Sequence, residues 1–313
     1  MSVDRVFRDL GLVVLERGWL SSNNVLFSPQ GGGPATLVDT SYAAHAEQTL
    51  SLVKGRLGPV PLARVVNTHL HSDHCGGNSL LQRHYDCETW VPESLVAPVT
   101  AWDAARLTFE MTDQRCERVR VSHGLAPGED LRLGEHRWLT IAVDGHDPDS
   151  VVFFQPESRV LISADALWED RLAIIFPEIE AQPGFAAARR SLEVIEALEP
   201  AIVIPGHGRP FTGVREALSR SRSRLDRYEA DPATHLRHAA RALAMFHLLE
   251  QRRRELAELV TWLSSTPIFV RIAAGLGARG ASLREFAEDL VRGLMNDAIL
   301  RIDSDGHIVV IDR

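Results

Sequence analysis

The chain has 313 residues, of which 45% are hydrophobic and 24% charged, and it carries a formal net charge of −8. These values are ordinary for a globular protein and exclude disorder, and no apolar run approaches the roughly 20 residues that a membrane span needs. The three cysteines, Cys75, Cys87 and Cys116, are odd in number and irregularly spaced, which favours reduced thiols. Because the first residues also lack the pattern of a secretion signal, we expect a cytoplasmic protein without membrane contact.

From residue 11 to about residue 213, short apolar runs alternate with amphipathic segments, which is typical of a mixed α/β domain. The predicted strands are VVLERG, NNVLFSP, ATLVDTS, ARVVNTH, ETWVP, RWLTIAVDG, SVVFFQP, RVLISAD and AIVIPGH. The predicted helices are AHAEQTLSLVKGRL, GGNSLLQRHY, the segment from about 96 to 112, and GFAAARRSLEVIEAL. Four strands end at a histidine or aspartate in a turn, where a rigid sheet presents exposed side chains for chemistry.

After about Val214 the strands stop and arginine-rich helical periodicity follows, before two β-type runs around Asp305 and Gly306 close the chain as a predicted hairpin. The net charge changes from −10 in residues 1–214 to +2 in residues 215–313. We therefore expect two domains: a catalytic domain over residues 1–213 and a small helical, winged-helix-like domain over residues 214–313.

The stretch NTHLHSDHCGGN, residues 67–78, concentrates His69, His71, Asp73 and His74 in one loop. Imidazole nitrogens and carboxylates suit zinc, iron or manganese. Residues two apart in an extended turn point the same way, so His69 and His71 can share one metal while Asp73 and His74 face a second position. Two local side chains hold an ion weakly, so further ligands are required at other strand ends. The candidates are His146, Asp165 and His207.

In this order the motif and the three later residues resemble the metallo-β-lactamase superfamily over roughly residues 11–213. The resemblance implies an αββα sandwich with two divalent metal ions, zinc being expected first and iron or manganese remaining alternatives. It also implies the ligand sets. The first metal would be bound by His69, His71 and His146, the second by Asp73, His74 and His207, and Asp165 would bridge them.

The resemblance further implies hydrolysis by a hydroxide between the two metals, which Asp73 would help to orient as a catalytic residue. Asp39, in LVDTS, matches the strand-end aspartate that supports the metal loop by hydrogen bonds. Asp147 and Asp149 stand where threonine and glycine are more usual, and make the surroundings more acidic. Whether those two carboxylates touch the substrate stays open at this point.

The core motif THLHSDHCGGN is especially similar to the glyoxalase II branch, which hydrolyses glutathione thioesters. Residues 215–313 carry no matching lysine or tyrosine signature for glutathione, so a small-molecule thioester, lactone or related ester remains open. Trp168 and Phe176 follow Asp165 in DALWEDRLAIIFPE and are candidates for an apolar wall against an acyl chain.

The C-terminal tail, residues 214–313, indicates an alternative function. Superfamily members with a C-terminal winged helix resemble endoribonucleases that cleave single-stranded RNA, and the arginines from Arg215 to Arg254 could contact phosphates. Against this, the last predicted helix, SLREFAEDLVRGLMND, has two arginines and four acidic residues, and an acidic recognition helix repels phosphate. We therefore expect the tail to act as a lid or as the contact of a homodimer, with RNA cleavage as the alternative.

Overall fold

The computed structural model describes residues 2–28, 31 and 33–311. Its first sheet contains six strands in chain order, namely β1 (Leu12–Leu15), β2 (Asn24–Phe27), β3 (Ala35–Val38), β4 (Leu62–Val66), β5 (Glu88–Pro92) and β6 (His123–Leu125). The second sheet, ordered β11-β10-β9-β8-β7, contains β7 (Asp130–Leu133), β8 (His136–Ala142), β9 (Val151–Gln155), β10 (Val160–Ala164) and β11 (Ile202–Pro205). Strands β3 to β6 pair in parallel, as do β10 and β11, so within each sheet the carboxyl ends of these strands lie side by side.

The helices that precede the tail are α1 (Val3–Asp9), α2 (Ala46–Leu57), α3 (Ser72–Cys75), α4 (Asn78–Tyr85), α5 (Val96–Ala101), α6 (Phe109–Thr112), α7 (Phe176–Ile179) and α8 (Gly184–Leu198). The tail contains α9 (Val214–Ala230), α10 (Pro232–Gln251), α11 (Leu256–Ser265), α12 (Pro267–Gly275) and α13 (Ser282–Asn296). A small antiparallel sheet, ordered β12-β14-β13, joins β12 (Arg253–Glu255), β13 (Leu300–Ile302) and β14 (His307–Val310).

The layers follow from the two-residue period of the strands. Phe27 of β2 and Phe153 of β9 enter the core between the two sheets, where Trp138 of β8 meets Phe27 edge to face. Their neighbours point outwards: Leu26 packs under α2 and α4, and the outer face of β9 packs under α8 and α9. The predicted αββα sandwich is confirmed.

The tail helices α10 to α13 and the small sheet bury a separate apolar cluster, which also takes in Ile174 and Ile179 from the chain segment after β10. This arrangement confirms the predicted helical, winged-helix-like extension of the sandwich. Helix α9 packs in the cluster of the second sheet instead. Among the described helices, none alone is long and apolar enough to cross a membrane; α11 and α12 together meet that criterion by length and composition, although they are bent by 73°.

Three local predictions were wrong. The helix expected over residues 96–112 is interrupted, because Trp102 and Thr108 both adopt positive φ values. The helical periodicity expected from Val214 up to the hairpin is broken after Gln251, where α10 ends: Arg252 adopts φ 64°, and the next residues pair with β14 instead. Strands β6 and β7 were not predicted, because each is a short run that mixes polar with apolar residues.

Candidate metal centre

The loop after β4 presents the histidines, and Asp39 supports it from behind. The buried carboxylate of Asp39 accepts hydrogen bonds from the Thr68 amide at 2.9 Å, from the Thr68 hydroxyl at 2.8 Å and from His74 Nδ1 at 2.8 Å. The Thr68 hydroxyl donates its single proton to Asp39, so it accepts from His69 Nδ1, 3.1 Å away. Asp39 therefore determines which nitrogen carries the proton in two imidazoles.

His146 is oriented in the same way by the main chain. Its Nδ1 donates to the carbonyl of Ile174 at 2.6 Å, which leaves Nε2 as the acceptor nitrogen. His71 has the opposite ring orientation, with Nδ1 rather than Nε2 on the side of the other imidazoles. Its Nδ1 lies 2.8 Å from His146 Nε2, and its Nε2 lies 3.3 Å from the Asp147 carboxylate. The structure thus places Asp147 behind His71.

Two groups of donors result. In the first, one ligand atom from each of His69, His71 and His146 lies within 4.8 Å of the others. In the second, the same holds for the four residues Asp73, His74, Asp165 and His207. We call these the first and second clusters. The structure therefore brings together all seven residues that the sequence singled out as metal ligands.

Asp165 belongs to the second cluster and lies at its boundary with the first. Its Oδ2 atom is 3.4 Å from His74 Nε2 in the second cluster and 3.5 Å from His146 Nε2 in the first. The absence of a side chain at Gly206 makes room for it, because a Cβ there would lie 2.1 Å from Asp165 Oδ1. Asp73 closes the second cluster, with Oδ2 3.1 Å from His207 Nε2.

The donors fit divalent cations. His69 Nε2 and His74 Nε2 are buried without a hydrogen-bond partner in the described residues, although both point into the clusters. Burial is the main cause that lowers the pKa of His71 and of His146 to about 4, and burial with neighbouring imidazoles lowers the pKa of His69 well below its ordinary value. These imidazoles are therefore neutral at pH 7, which metal binding requires.

The carboxylates of the second cluster favour positive charge beside them. Burial alone would raise the pKa of Asp165, but His74 and His207 outweigh it and hold that pKa well below its usual range. Burial likewise would lower the pKa of His74, but Asp165, Asp39 and Asp73 outweigh it and raise that pKa well above its ordinary value. Three carboxylates around one buried imidazole form a site that favours cations.

Aromatic rings surround the clusters. Phe176 contacts the first cluster, its ring centroid 4.6 Å from that of His71. Trp168 contacts the second: its ring lies 5.1 Å from His207, and its Nε1 donates to Asp165 Oδ1 at 3.1 Å. The sequence-based candidates for a pocket wall therefore both lie beside the donors.

Two further aromatic residues at the site were not predicted from the sequence. Trp19 stacks on His207 with ring centroids 5.9 Å apart and planes 9° apart. Phe246 of α10 reaches the same imidazole edge to face at 6.2 Å. The only sequence signal for either was an isolated aromatic residue, Trp19 in a polar turn and Phe246 within an apolar helical run, and neither pattern distinguishes a pocket from the core.

The loop from Asp165 to Ile175, which carries Trp168, is held by the tail. The Ile175 amide donates to His235 Nε2 of α10 at 3.1 Å. Arg220 of α9 donates to the Glu169 carbonyl at 2.9 Å. The tail helices therefore fix one wall of the site.

An αββα sandwich that collects histidine and aspartate donors in two adjoining clusters at its strand ends defines a class of protein, the metal-dependent hydrolases. The chain belongs to the metallo-beta-lactamase superfamily, whose family model matches residues 17–207, more than half of its length.

Curated relatives share about a quarter of their residues with this chain over the matched segments. The probable metallo-hydrolase YflN of Bacillus subtilis (strain 168) is 24% identical over 206 residues, covering 56% of this chain and 76% of its own. The acyl-coenzyme A thioesterase MBLAC2 of Gallus gallus is 24% identical over 175 residues, covering 50% of this chain and 60% of its own. Among solved structures, the metallo-beta-lactamase family protein TTHA1429 of Thermus thermophilus superposes with a TM-score of 0.56 at 18% identity, covering 96% of this chain and 99% of its own. The shared fold thus extends through the tail.

Proposed function

We propose that the chain is a dinuclear metal-dependent hydrolase of a small-molecule thioester, lactone or related ester. The observation that carries this proposal is the position of Asp165 between two adjoining donor clusters. The proposed ligands of the first metal are His69, His71 and His146, those of the second are Asp73, His74 and His207, and Asp165 bridges. Zinc is the expected metal, with iron or manganese as alternatives. Two bound ions would lower the pKa of a shared water and polarise the carbonyl under attack.

The protein's own residues supply orientation. The Asp73 side chain is 15% exposed and that of Asp165 only 6%, so Asp73 is the cluster carboxylate that solvent reaches more easily. We assign Asp73 the role of orienting the attacking water, in addition to metal binding. Asp39 supports the metal loop and the ring orientation of His69 and His74.

The surroundings favour an acyl substrate. Phe176 and Trp168 offer apolar surface directly beside the two clusters, which suits an acyl chain next to a reacting carbonyl. A thioester is the class we favour, since one relative is named an acyl-coenzyme A thioesterase.

RNA cleavage, the alternative, has less support. In the described part of the chain, six of the ten arginines between residues 215 and 254 pair with carboxylates: Arg220, Arg222, Arg237, Arg241, Arg253 and Arg254. On α13, Arg284 pairs with Glu288 and Arg292 with Asp289. These pairs neutralise charges that would otherwise bind phosphates.

We assign residues 1–213 to a catalytic domain and residues 214–313 to a winged-helix-like domain that serves as a fixed lid. Phe246 beside His207 and the bond from the Ile175 amide to His235 support that role. A homodimer and a cytoplasmic location remain expectations from the sequence.

The test is an activity panel on purified protein with metal content measured by elemental analysis. The substrates are a thioester, a lactone, a phosphodiester and a short single-stranded RNA, each assayed with wild type, His71→Ala and the exposed control His84→Ala. We expect two metals per chain and thioester or lactone turnover that is lost in His71→Ala and kept in His84→Ala. RNA cleavage without ester turnover would contradict the proposal.

A further inference from the structure

Arg171 is an exposed cation beside Trp19, one of the aromatic residues of the site. Its guanidinium carbon lies 4.5 Å from the centroid of the Trp19 ring, and its side chain is exposed. No ion pair joins Arg171 to a carboxylate in residues 2–28, 31 and 33–311. An arginine on an aromatic face keeps its N–H groups available at the edge for two oxygens of a carboxylate or a phosphate.

The arginines near it differ in this respect. Arg220 lies 3.4 Å from the Asp170 carboxylate, and Arg209, two residues after His207, lies 3.6 Å from Glu16. Arg224 donates to the Asp170 carbonyl at 2.8 Å. Each of these three side chains contacts a carboxylate or a carbonyl of the protein, whereas Arg171 packs on the Trp19 ring.

Trp19 connects this cation to the reaction centre. The Trp19 ring stacks on His207 of the second cluster, packs against Trp168 at 5.8 Å, and is 44% exposed. Arg171 therefore lies one aromatic ring away from the second cluster, while Phe176 adjoins the first cluster. The two ends of the site differ in character, apolar at Phe176 and cationic at Arg171.

The position is held firmly, because the residues on both sides of Arg171 are anchored: the Glu169 and Asp170 carbonyls by α9 and the Ile175 amide by α10. The surroundings of Arg171 are acidic, which increases the effect of its single positive charge. Residues 1–214 carry a net charge of −10, and Glu169 and Asp170 lie in the same loop. An unpaired cation in acidic surroundings is the place where an anionic group of a substrate gains most from a direct contact.

We propose that Arg171, positioned by Trp19, binds an anionic group of the substrate's leaving part, a carboxylate or a phosphate, while the acyl part lies against Phe176. This inference rests on the proposed hydrolase function and specifies its substrate class: esters or thioesters whose thiol or alcohol portion is anionic.

The experiment compares one acyl group on three thiols: coenzyme A, which brings phosphates; glutathione, which brings carboxylates; and N-acetylcysteamine, which is neutral. The variants are Arg171→Gln, Arg171→Lys and the matched control Arg209→Gln, which removes an equal charge near His207 that already has an acidic partner. We expect Arg171→Gln to reduce the ratio of kcat/KM for an anionic thioester over the neutral one by about three- to tenfold, mainly through KM. Arg171→Lys should restore part of this ratio, and added salt should reduce it in wild type.

Each outcome of this experiment either supports or contradicts the proposed role of Arg171. A loss confined to the coenzyme A thioester identifies phosphate as the ligand, and a loss confined to the glutathione thioester identifies carboxylate. If the ratio is unchanged in Arg171→Gln, or falls equally in Arg209→Gln, the inference is wrong while the hydrolase function stands. If wild type hydrolyses none of the three, the proposed thioester function fails. Calorimetric binding of the inert S-hexyl thioethers of coenzyme A and glutathione then still tests Arg171, because weaker binding to Arg171→Gln supports the anion site and equal binding refutes it.

Discussion

Replacing Asp39 by asparagine tests how the metal centre is built. The Asp39 carboxylate only accepts hydrogen bonds, and it receives three, from the Thr68 amide, the Thr68 hydroxyl and His74 Nδ1. An asparagine keeps one acceptor oxygen, on the Thr68 amide, and turns an N–H group towards the other two donors. His74 must then move its proton to Nε2, and the Thr68 hydroxyl must turn its proton towards His69 Nδ1.

Both changes remove the lone pair that points into a cluster. Leaving a buried hydrogen-bonding group unsatisfied costs about 1 to 3 kcal/mol, more where a charge is involved. Loss of the group that orients a metal-bound histidine lowers metal affinity about 10- to 100-fold, which corresponds to about 1.4 to 2.8 kcal/mol. The two estimates agree, so we expect Asp39→Asn to weaken both metal sites by about 10- to 100-fold each.

The assay is competition with a chelator, followed for both metal equivalents. Thr68→Val is a partial variant that removes the partner of His69 and spares that of His74, so it should weaken one equivalent only. Thr40→Val is the matched control: its hydroxyl accepts from the Gly77 amide and donates to the Asn78 side chain and, at 3.3 Å, to the main-chain carbonyl of His74, without contacting an imidazole ring. It should lower the free energy of unfolding and leave metal affinity intact. Equal metal affinities in wild type and Asp39→Asn, or equal losses in Thr40→Val, would refute the reasoning.

Three further variants test other contacts. Asp147→Thr removes the carboxylate 3.3 Å from His71 Nε2 and should weaken the first metal site about tenfold in the same chelator assay; unchanged affinity would show that Asp147 does not orient that ring. Gly206→Ala introduces a Cβ that must displace Asp165, so we expect about a 100-fold loss of turnover in a variant that still folds by circular dichroism, and wild-type turnover would disprove the close contact. Burial lowers the pKa of His235 to about 4, against 6.5 for the exposed side chain, so below pH 6.5 the unfolded chain binds a proton that the folded chain does not take up until about pH 4. The free energy of unfolding therefore falls as the pH is lowered across that window, by about 1.4 kcal/mol per pH unit for this group. His235→Gln keeps an acceptor for the loop amide and should reduce the slope of the free energy of unfolding against pH, measured by urea titration, by that amount; an unchanged slope would contradict the prediction.

Local pattern was sufficient for much of the fold. The helix expected over residues 184–198 matches α8 at both ends, because an amphipathic period without interruption is decided by neighbouring residues. The strands that lead to Thr68, Asp165 and His207 were also recognised, since runs of buried β-branched residues leave little alternative. The breaks at Trp102 and Arg252 were missed, because both lie where the chain makes contacts far along the sequence: Trp102 packs against a cluster that contains Leu70, and the residues after Arg252 pair with β14.

The amino-acid sequence by itself determined the kinds of donor and their places at strand ends, because ligand type and strand period are local properties. Only the tertiary structure decided that Asp165 contacts both clusters and that Asp147 faces His71 rather than solvent. It also decided that Arg171 packs on Trp19 beside the second cluster. These contacts join segments far apart in the chain. Their distances depend on how two sheets and the tail helices pack, which no short stretch of sequence encodes.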